Sequence, residues 1–151
     1  MAGRTFTRFL NSFLHTGTPS SSTFLRGDGA WSSDLTGAVE AEKEIGVGSN
    51  PSFQNSWANV GTSPARFYKD PFGRVHLSGD IDTGSSGTVA FTLPAGYRPA
   101  YSAFSIAYND NGGPGPGGAN VSVEVQADGD VIPTYSAGTD IWLDGISFRA
   151  A

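Results

Sequence analysis

Between residues 74 and 148, apolar residues recur at every second position in short runs, and turn-forming residues separate the runs. Side chains on a β-strand point alternately to its two faces, so this period predicts antiparallel strands with one face buried. The pattern amounts to about eight strands, which favours a β-sandwich of jelly-roll type. The clearest runs contain Val75, Leu77 and Ile81; Val89, Phe91 and Leu93; Phe104, Ile106 and Tyr108; and Val121, Val123 and Val125.

Turn chemistry connects these runs. The 151 residues include 21 glycines and 9 prolines but only 15% charged residues, a composition typical of an all-β domain with tight connections. We predict turns at residues 70–73 and 128–130, where Gly129 is suited to a positive φ. We assign residues 53–151 to a small antiparallel β-sandwich head.

The last strands predict a bulge and an outward tryptophan. Ile141 and Leu143 share one face, and Ile146 and Phe148 keep that face only if Gly145 absorbs an extra residue. Trp142 then points away from the core. We therefore predict Trp142 at the interface of a homotrimer.

Residues 1–17 have helical rather than strand periodicity. Five apolar residues fall on one stripe of a short amphipathic helix, which cannot remain exposed alone in water and must dock on copies of itself, on a larger assembly or on its own head. These residues are Phe6, Phe9, Leu10, Phe13 and Leu14. Residues 18–52 form a linker and neck, in which Ala38 to Ile45 could hold a helical turn or two.

Composition excludes several classes of partner. The net charge of −5 and pI near 4.7 argue against nucleic acid, which requires clustered basic residues. No apolar stretch approaches the length of a membrane span or a signal-peptide core, so we expect no membrane insertion. The absence of cysteine fits a protein made in a reducing cytoplasm.

No pattern in the sequence indicates a reaction. His15 and His76 belong to no spaced ligand motif, so we expect no metal or other cofactor. The acidic pairs Asp80 with Asp82 and Asp128 with Asp130 stand at strand ends, where they serve as ordinary turn formers. We predict that the protein is not an enzyme.

Four segments carry a resemblance to a known family. Phe67-Tyr68-Lys69-Asp70, residues 73–79 and residues 91–99 resemble the head of bacteriophage tail fibres and receptor-binding proteins, and residues 18–31 resemble the segment that leads into that head. The resemblance implies a trimeric all-β head whose loops meet the host surface, with the N-terminus bound to other virion proteins. The Lys69–Gly79 hairpin and the Leu93–Pro99 corner match framework positions.

This resemblance implies a virion structural protein. We expect a tail fibre or tail-tip spike whose trimeric head binds a host cell-surface receptor. That receptor is a glycan or a protein, and our interpretation favours a saccharide. The alternative is a decoration or capsid-fibre protein that displays the same head without adsorbing. A tail tip, a baseplate or the capsid surface could each carry so short a chain.

The expected receptor contacts lie on two loops, 108–119 and 134–140. Loops on a rigid β scaffold are where binding usually resides. Tyr135 is expected to be exposed and to stack on a sugar ring, while Tyr108 either faces the core or forms a platform at the base of its loop. The predicted receptor-binding residues are Tyr108, Asn109, Asp110, Asn111, Tyr135 and Asp140.

Overall fold

A computed structural model describes residues 20, 24–25, 31–32, 40–109, 119–136 and 140–151. The chain divides into two compact units, Met1–Gly37 and Ala38–Ala151. In the first unit, strand β1 (Phe24–Leu25) pairs antiparallel with β2 (Trp31–Ser32). The predicted N-terminal helix and its five attachment residues lie outside the described residues.

The second unit is built from two antiparallel sheets. The seven-stranded sheet has the order β4-β7-β12-β9-β10-β11-β8, and the four-stranded sheet has the order β13-β6-β5-β3. The strands are β3 (Lys43–Glu44), β4 (Ala58–Asn59), β5 (Arg66–Lys69), β6 (Arg74–Ser78), β7 (Asp80–Asp82), β8 (Phe91–Thr92), β9 (Ala103–Asn109), β10 (Ala119–Val125), β11 (Asp130–Thr134), β12 (Ile141–Trp142) and β13 (Ser147–Arg149). Within the described ranges, no helix is long and apolar enough to cross a membrane.

One apolar core lies between the sheets. Phe67 and Val75 from the four-stranded sheet are fully buried beside Phe91 and Val123 from the seven-stranded one. Packing two sheets face to face over shared side chains defines a β-sandwich. The predicted all-β antiparallel sandwich is therefore confirmed.

The predicted turns form where the sequence indicates them. Gly73 has φ +80°, and its N–H donates to the Asp70 carbonyl at 3.0 Å. Gly129 has φ +96°, and its N–H donates to the Gln126 carbonyl at 2.9 Å. Both positions need the left-handed backbone that glycine adopts without a steric cost.

The burial predicted near the C-terminus is confirmed, but the predicted bulge is wrong, because residues 143–146 form a turn. Ile141, Leu143, Ile146 and Phe148 are all buried, and Gly145 between them has φ +86°. The Ile146 N–H donates to the Leu143 carbonyl at 3.2 Å, so this turn joins β12 of the seven-stranded sheet to β13 of the four-stranded sheet, and both strands face the core between the sheets.

The predicted inner face of β9 is wrong. Phe104 and Ile106 are 70% and 75% exposed, and Tyr108 is 44% exposed, whereas Ala107 and Asn109 are buried. The register explains the reversal, because the inward residues Val121 and Val123 of β10 stand opposite Ala107 and Ser105. Directly paired residues share a face, so the branched valines occupy the core and the small residues of β9 accompany them.

The segment before Phe53 also differs from expectation. The helical turn expected over Ala38 to Ile45 does not form in its described part, where Lys43–Glu44 is strand β3 and pairs with β5. Ile45 is fully buried, and its N–H donates to the Ala65 carbonyl at 2.8 Å. Residues assigned to the neck therefore contribute to the core of the head.

Candidate interaction surface

Large apolar side chains lie on the outer face of the seven-stranded sheet. Phe104, Ile106 and Tyr108 alternate along β9 with residues that face the core, and we call these three the outer stripe. Their register partners on β10 are Glu124, Ser122 and Asn120, so a polar strand flanks the stripe on that side. An exposed apolar cluster with a polar border is typical of a protein interaction site.

Trp142 extends the outer stripe onto β12. It stands opposite Tyr108 in the register, and its side chain is half-buried on the face away from the core. The prediction that Trp142 leaves the core face is confirmed. Its place in a trimer interface stays a prediction.

The described residues among those predicted to bind the receptor differ in exposure. Tyr108 is exposed at the end of β9, but the next residue, Asn109, is fully buried. Asp140 is half-buried and directly precedes β12. Asp110 and Asn111 lie outside the described residues. The expectation that Asn109 would be available to a ligand is wrong, because alternation turns it inward next to the outward Tyr108.

Tyr135 is anchored to the scaffold rather than exposed. Its hydroxyl donates to the Gly84 carbonyl at 2.6 Å, and its ring meets Trp57 edge-on with centroids 6.2 Å apart. Its N–H donates to Ser86 Oγ at 2.9 Å. The exposed stacking platform expected at Tyr135 is therefore not present, since the side chain is partly buried against the core.

A cleft of about 330 Å³ opens beside Trp142. Its walls come from segments that are distant in the sequence and carry indole, hydroxyl, carboxylate and guanidinium groups. The lining residues are Glu42, Thr62, Ser63, Pro64, Arg66, Ser78, Gly79, Trp142 and Asp144.

Close backbone packing fixes the geometry of this cleft. Gly79 has φ +89°, and a Cβ atom there would lie 2.2 Å from the Pro64 carbonyl oxygen. The Gly79 N–H donates to Asp144 Oδ2 at 3.4 Å, and the Leu143 N–H donates to the Gly79 carbonyl at 2.8 Å. Only glycine allows the strand to approach Pro64 so closely.

The Asp70 carboxylate serves the turn between β5 and β6. It accepts the N–H groups of Phe72 and Arg74, each at 2.9 Å, and lies 3.1 Å from His76 Nε2. The hydrogen bond from the Arg74 backbone, followed by that from His76, lowers the pKa of Asp70. His76 stacks on Tyr68 with ring centroids 4.8 Å apart. These contacts give Asp70 a structural role as a turn former.

A second polar cluster joins residues 40–43 to the Leu93–Pro99 corner. Glu40 accepts the Tyr97 hydroxyl, and Lys43 Nζ donates to Glu40 Oε2 at 2.8 Å while lying 5.0 Å from the Tyr97 ring centroid. The hydrogen bond from Lys43, then that from Tyr97, lowers the pKa of Glu40. Across the residues that the structure describes, no three acidic, histidine or cysteine side chains are grouped to hold a metal ion.

Sequence reasoning missed both the outer stripe and the cleft. Alternation along β9 was visible, but the face that turns outward depends on pairing with β10. The cleft joins Arg66, Gly79 and Asp144, which no local motif connects. The one available signal was the outward direction of Trp142.

Comparisons with known proteins agree at the level of the fold. No family model and no curated protein sequence matches the chain. The crystal structure of the receptor binding protein gp15 of Listeria phage PSA is similar, with a TM-score of 0.54 and 19% sequence identity over 74% of this chain. The match covers 66% of the gp15 chain, just under two thirds of its length. The chain thus shares the fold of a phage receptor-binding protein.

Proposed function

We propose that this protein is a bacteriophage virion protein whose trimeric head binds a saccharide on the host cell surface. The observation that carries the proposal is the fold shared with a phage receptor binding protein. The tail-fibre resemblance of residues 67–79 and 91–99 supports it independently, because those segments form the β5–β6 hairpin and the corner after β8. The protein acts by binding rather than by catalysis.

The outer stripe supports assembly into trimers. Its three side chains expose roughly 350 Å² per copy, since a large side chain presents about 150–250 Å² when fully accessible. A standard interface buries about 800 Å² on each partner. The stripe is large enough to form the apolar centre of such an interface, with polar β10 at one rim and Trp142 at the end of the stripe beside Tyr108.

Sedimentation of matched variants tests this assembly. Changing both Phe104 and Ile106 to Ser is expected to convert trimers to monomers without unfolding the head, because neither side chain contributes to the core. Phe72→Ser is the control, since Phe72 is 82% exposed but lies in the turn after β5. A wild-type monomer at micromolar concentration would contradict the proposal, as would a double variant that stays trimeric.

We assign attachment to other virion proteins to the N-terminal stripe that contains Phe9 and Phe13. Burying one such side chain stabilises a complex by about 1.5–3 kcal/mol. Particles produced with both residues changed to Ser should lack this protein, while the purified variant should show the thermal transition of the wild type. Normal incorporation of the double variant would exclude this assignment.

Competition with the phage tests the receptor-binding role. Purified full-length protein should bind intact host cells and reduce adsorption of the phage that encodes it. Three weak sites on one trimer would act together, and this avidity offsets a low affinity at each site. Protein that assembles on the virion but neither binds cells nor competes would favour the alternative role in decoration.

A further inference from the structure

We propose that the cleft beside Trp142 is the site that binds an uncharged saccharide unit. This inference rests on the proposed function and gives it a location, away from the loops that sequence reasoning indicated. The cleft volume of about 330 Å³ is at the lower end of the range for small-molecule sites. That volume suits a ligand of one or two sugar rings.

The lining chemistry matches a polyhydroxylated ligand. Ser63 and Ser78 line the cleft with hydroxyl groups that both donate and accept hydrogen bonds, and Trp142 is one of the other lining residues. The Asp144 carboxylate accepts hydrogen bonds from hydroxyl groups.

Arg66 supplies the donors of the site. Its Nη1 lies 3.6 Å from Glu42 Oε2, and its Nη2 lies 3.8 Å from Glu44 Oε2. Both distances exceed a good hydrogen bond, so neither carboxylate forms a close hydrogen bond with the guanidinium. The donors can therefore bind sugar oxygens.

The charge balance selects an uncharged ligand. Two carboxylates, Glu42 and Asp144, line the cleft with one cation, Arg66, and Glu44 Oε2 lies 3.8 Å from Nη2 of that cation. A phosphate or carboxylate on the ligand would meet this excess of negative charge. We therefore expect the cleft to discriminate against phosphorylated saccharides.

The walls are held in place before any ligand arrives. The backbone of Gly79 packs directly on Pro64, and the Asp144 side chain accepts the Gly79 N–H. The Asp80 N–H also donates to the Ser63 carbonyl at 2.8 Å. A site fixed by backbone contacts loses little conformational entropy on binding.

Titration of the full-length protein with methyl glycosides of neutral hexoses and N-acetylhexosamines tests the site by NMR. Three tryptophans give three indole signals, and Trp142→Phe identifies the one that belongs to Trp142. A glycoside of the panel is expected to shift this signal and the backbone amides of Ser63 and Gly79, while the Trp57 signal stays unchanged. Absence of such shifts with every glycoside would overturn the proposal, and so would tighter binding of a hexose phosphate.

Matched variants then locate the binding groups. Arg66→Met and Asp144→Asn should each weaken glycoside binding about tenfold or more, the effect of losing one charge-assisted hydrogen bond. The controls Arg149→Met and Asp128→Asn should bind as the wild type, because both residues are exposed and lie outside the cleft. Thermal midpoints of all four variants verify that each is folded, and unchanged affinity in both cleft variants would refute the site.

Cell adsorption separates failure of the site from failure of the function. If wild-type protein binds host cells and both cleft variants bind equally well, the saccharide site lies elsewhere and the receptor-binding function stands. If wild-type protein does not bind cells, the proposed function fails, and the glycoside titration alone decides whether the cleft binds sugars.

Discussion

Among the described residues before Phe53, Ile45 is the hydrophobic side chain that is buried in the core of the head. It is fully buried in the core, and its backbone N–H and carbonyl are bonded to Ala65 and to the Asn59 amide. Ile45→Ala keeps those backbone bonds and removes only the packed side chain. Truncations of this kind cost about 2–5 kcal/mol, a large part of the roughly 5–15 kcal/mol that holds a domain folded.

We expect Ile45→Ala to lower the thermal midpoint of the full-length protein by about 10–20 °C. Val47→Ala is the control, since Val47 lies two residues away and is 52% exposed, and such surface changes stay within about 0.5 kcal/mol. Both variants are compared at one protein concentration, because assembly makes the midpoint depend on concentration. Equal midpoints for the two variants would refute the reasoning.

Truncation extends the same test. A chain that starts at Ala38 retains β3 and Ile45, whereas one that starts at Asn50 loses both. We expect the longer chain to unfold cooperatively and the shorter one to be less stable than Ile45→Ala. Cooperative unfolding of both truncated chains with equal stability would show that residues 53–151 fold by themselves.

Two further predictions follow from single contacts. The hydrogen bond from the Arg74 backbone lowers the pKa of Asp70 in the folded protein. The ionised carboxylate therefore stabilises the fold above the unfolded pKa of about 3.9. This stabilisation is lost as the pH falls through the lower pKa of the folded state. Asp70→Asn should therefore lower the midpoint at pH 7, and the difference from wild type should shrink on acidification to pH 2; a constant difference would contradict this. Gly84→Ala would place a Cβ atom 2.0 Å from the Trp57 ring, so we expect the free energy of unfolding measured in urea to fall by several kcal/mol. The control Ser85→Ala, at the adjacent exposed position, should change it by almost nothing. Equal stability of the two variants would exclude the clash.

Strands and turns were predictable from the sequence where a few consecutive residues determine them. Val121, Val123 and Val125 alternate with polar residues, so only one face of β10 can be buried. Gly145 was recognisable as a break between two strands because the apolar period changes phase there, although the structure forms a turn at this point rather than a bulge. In each case the information lies within a few consecutive residues.

The orientation of β9 could not be derived in the same way. Residues 103–109 are apolar or small on both faces, so alternation identifies a strand but not its buried side. Pairing with the valines of β10 decides the orientation, and strand pairing is a nonlocal property. The same argument applies to Ile45, whose burial depends on the pairing of β3 with β5.

The cleft lay beyond sequence reasoning for a geometric reason. Arg66, Gly79 and Asp144 are separated along the chain, and the close approach of Gly79 to Pro64 brings their segments together. Gly79 was part of the tail-fibre resemblance as a framework residue. The structure shows what that framework position does, since a side chain there would collide with the Pro64 carbonyl.

Trp142 lies between the outer stripe and the cleft, so assembly and saccharide binding need separate measurements. The Phe104 and Ile106 double variant removes the stripe but leaves the cleft residues unchanged. If three sites act together on a cell surface, this variant should bind a soluble glycoside with wild-type affinity and yet adsorb to cells at least about a hundredfold more weakly. Arg66→Met should show the opposite pattern, with a normal sedimentation coefficient and weakened glycoside binding. A double variant that loses soluble glycoside binding as well would mean that the cleft is completed by a neighbouring copy, so that saccharide binding depends on assembly.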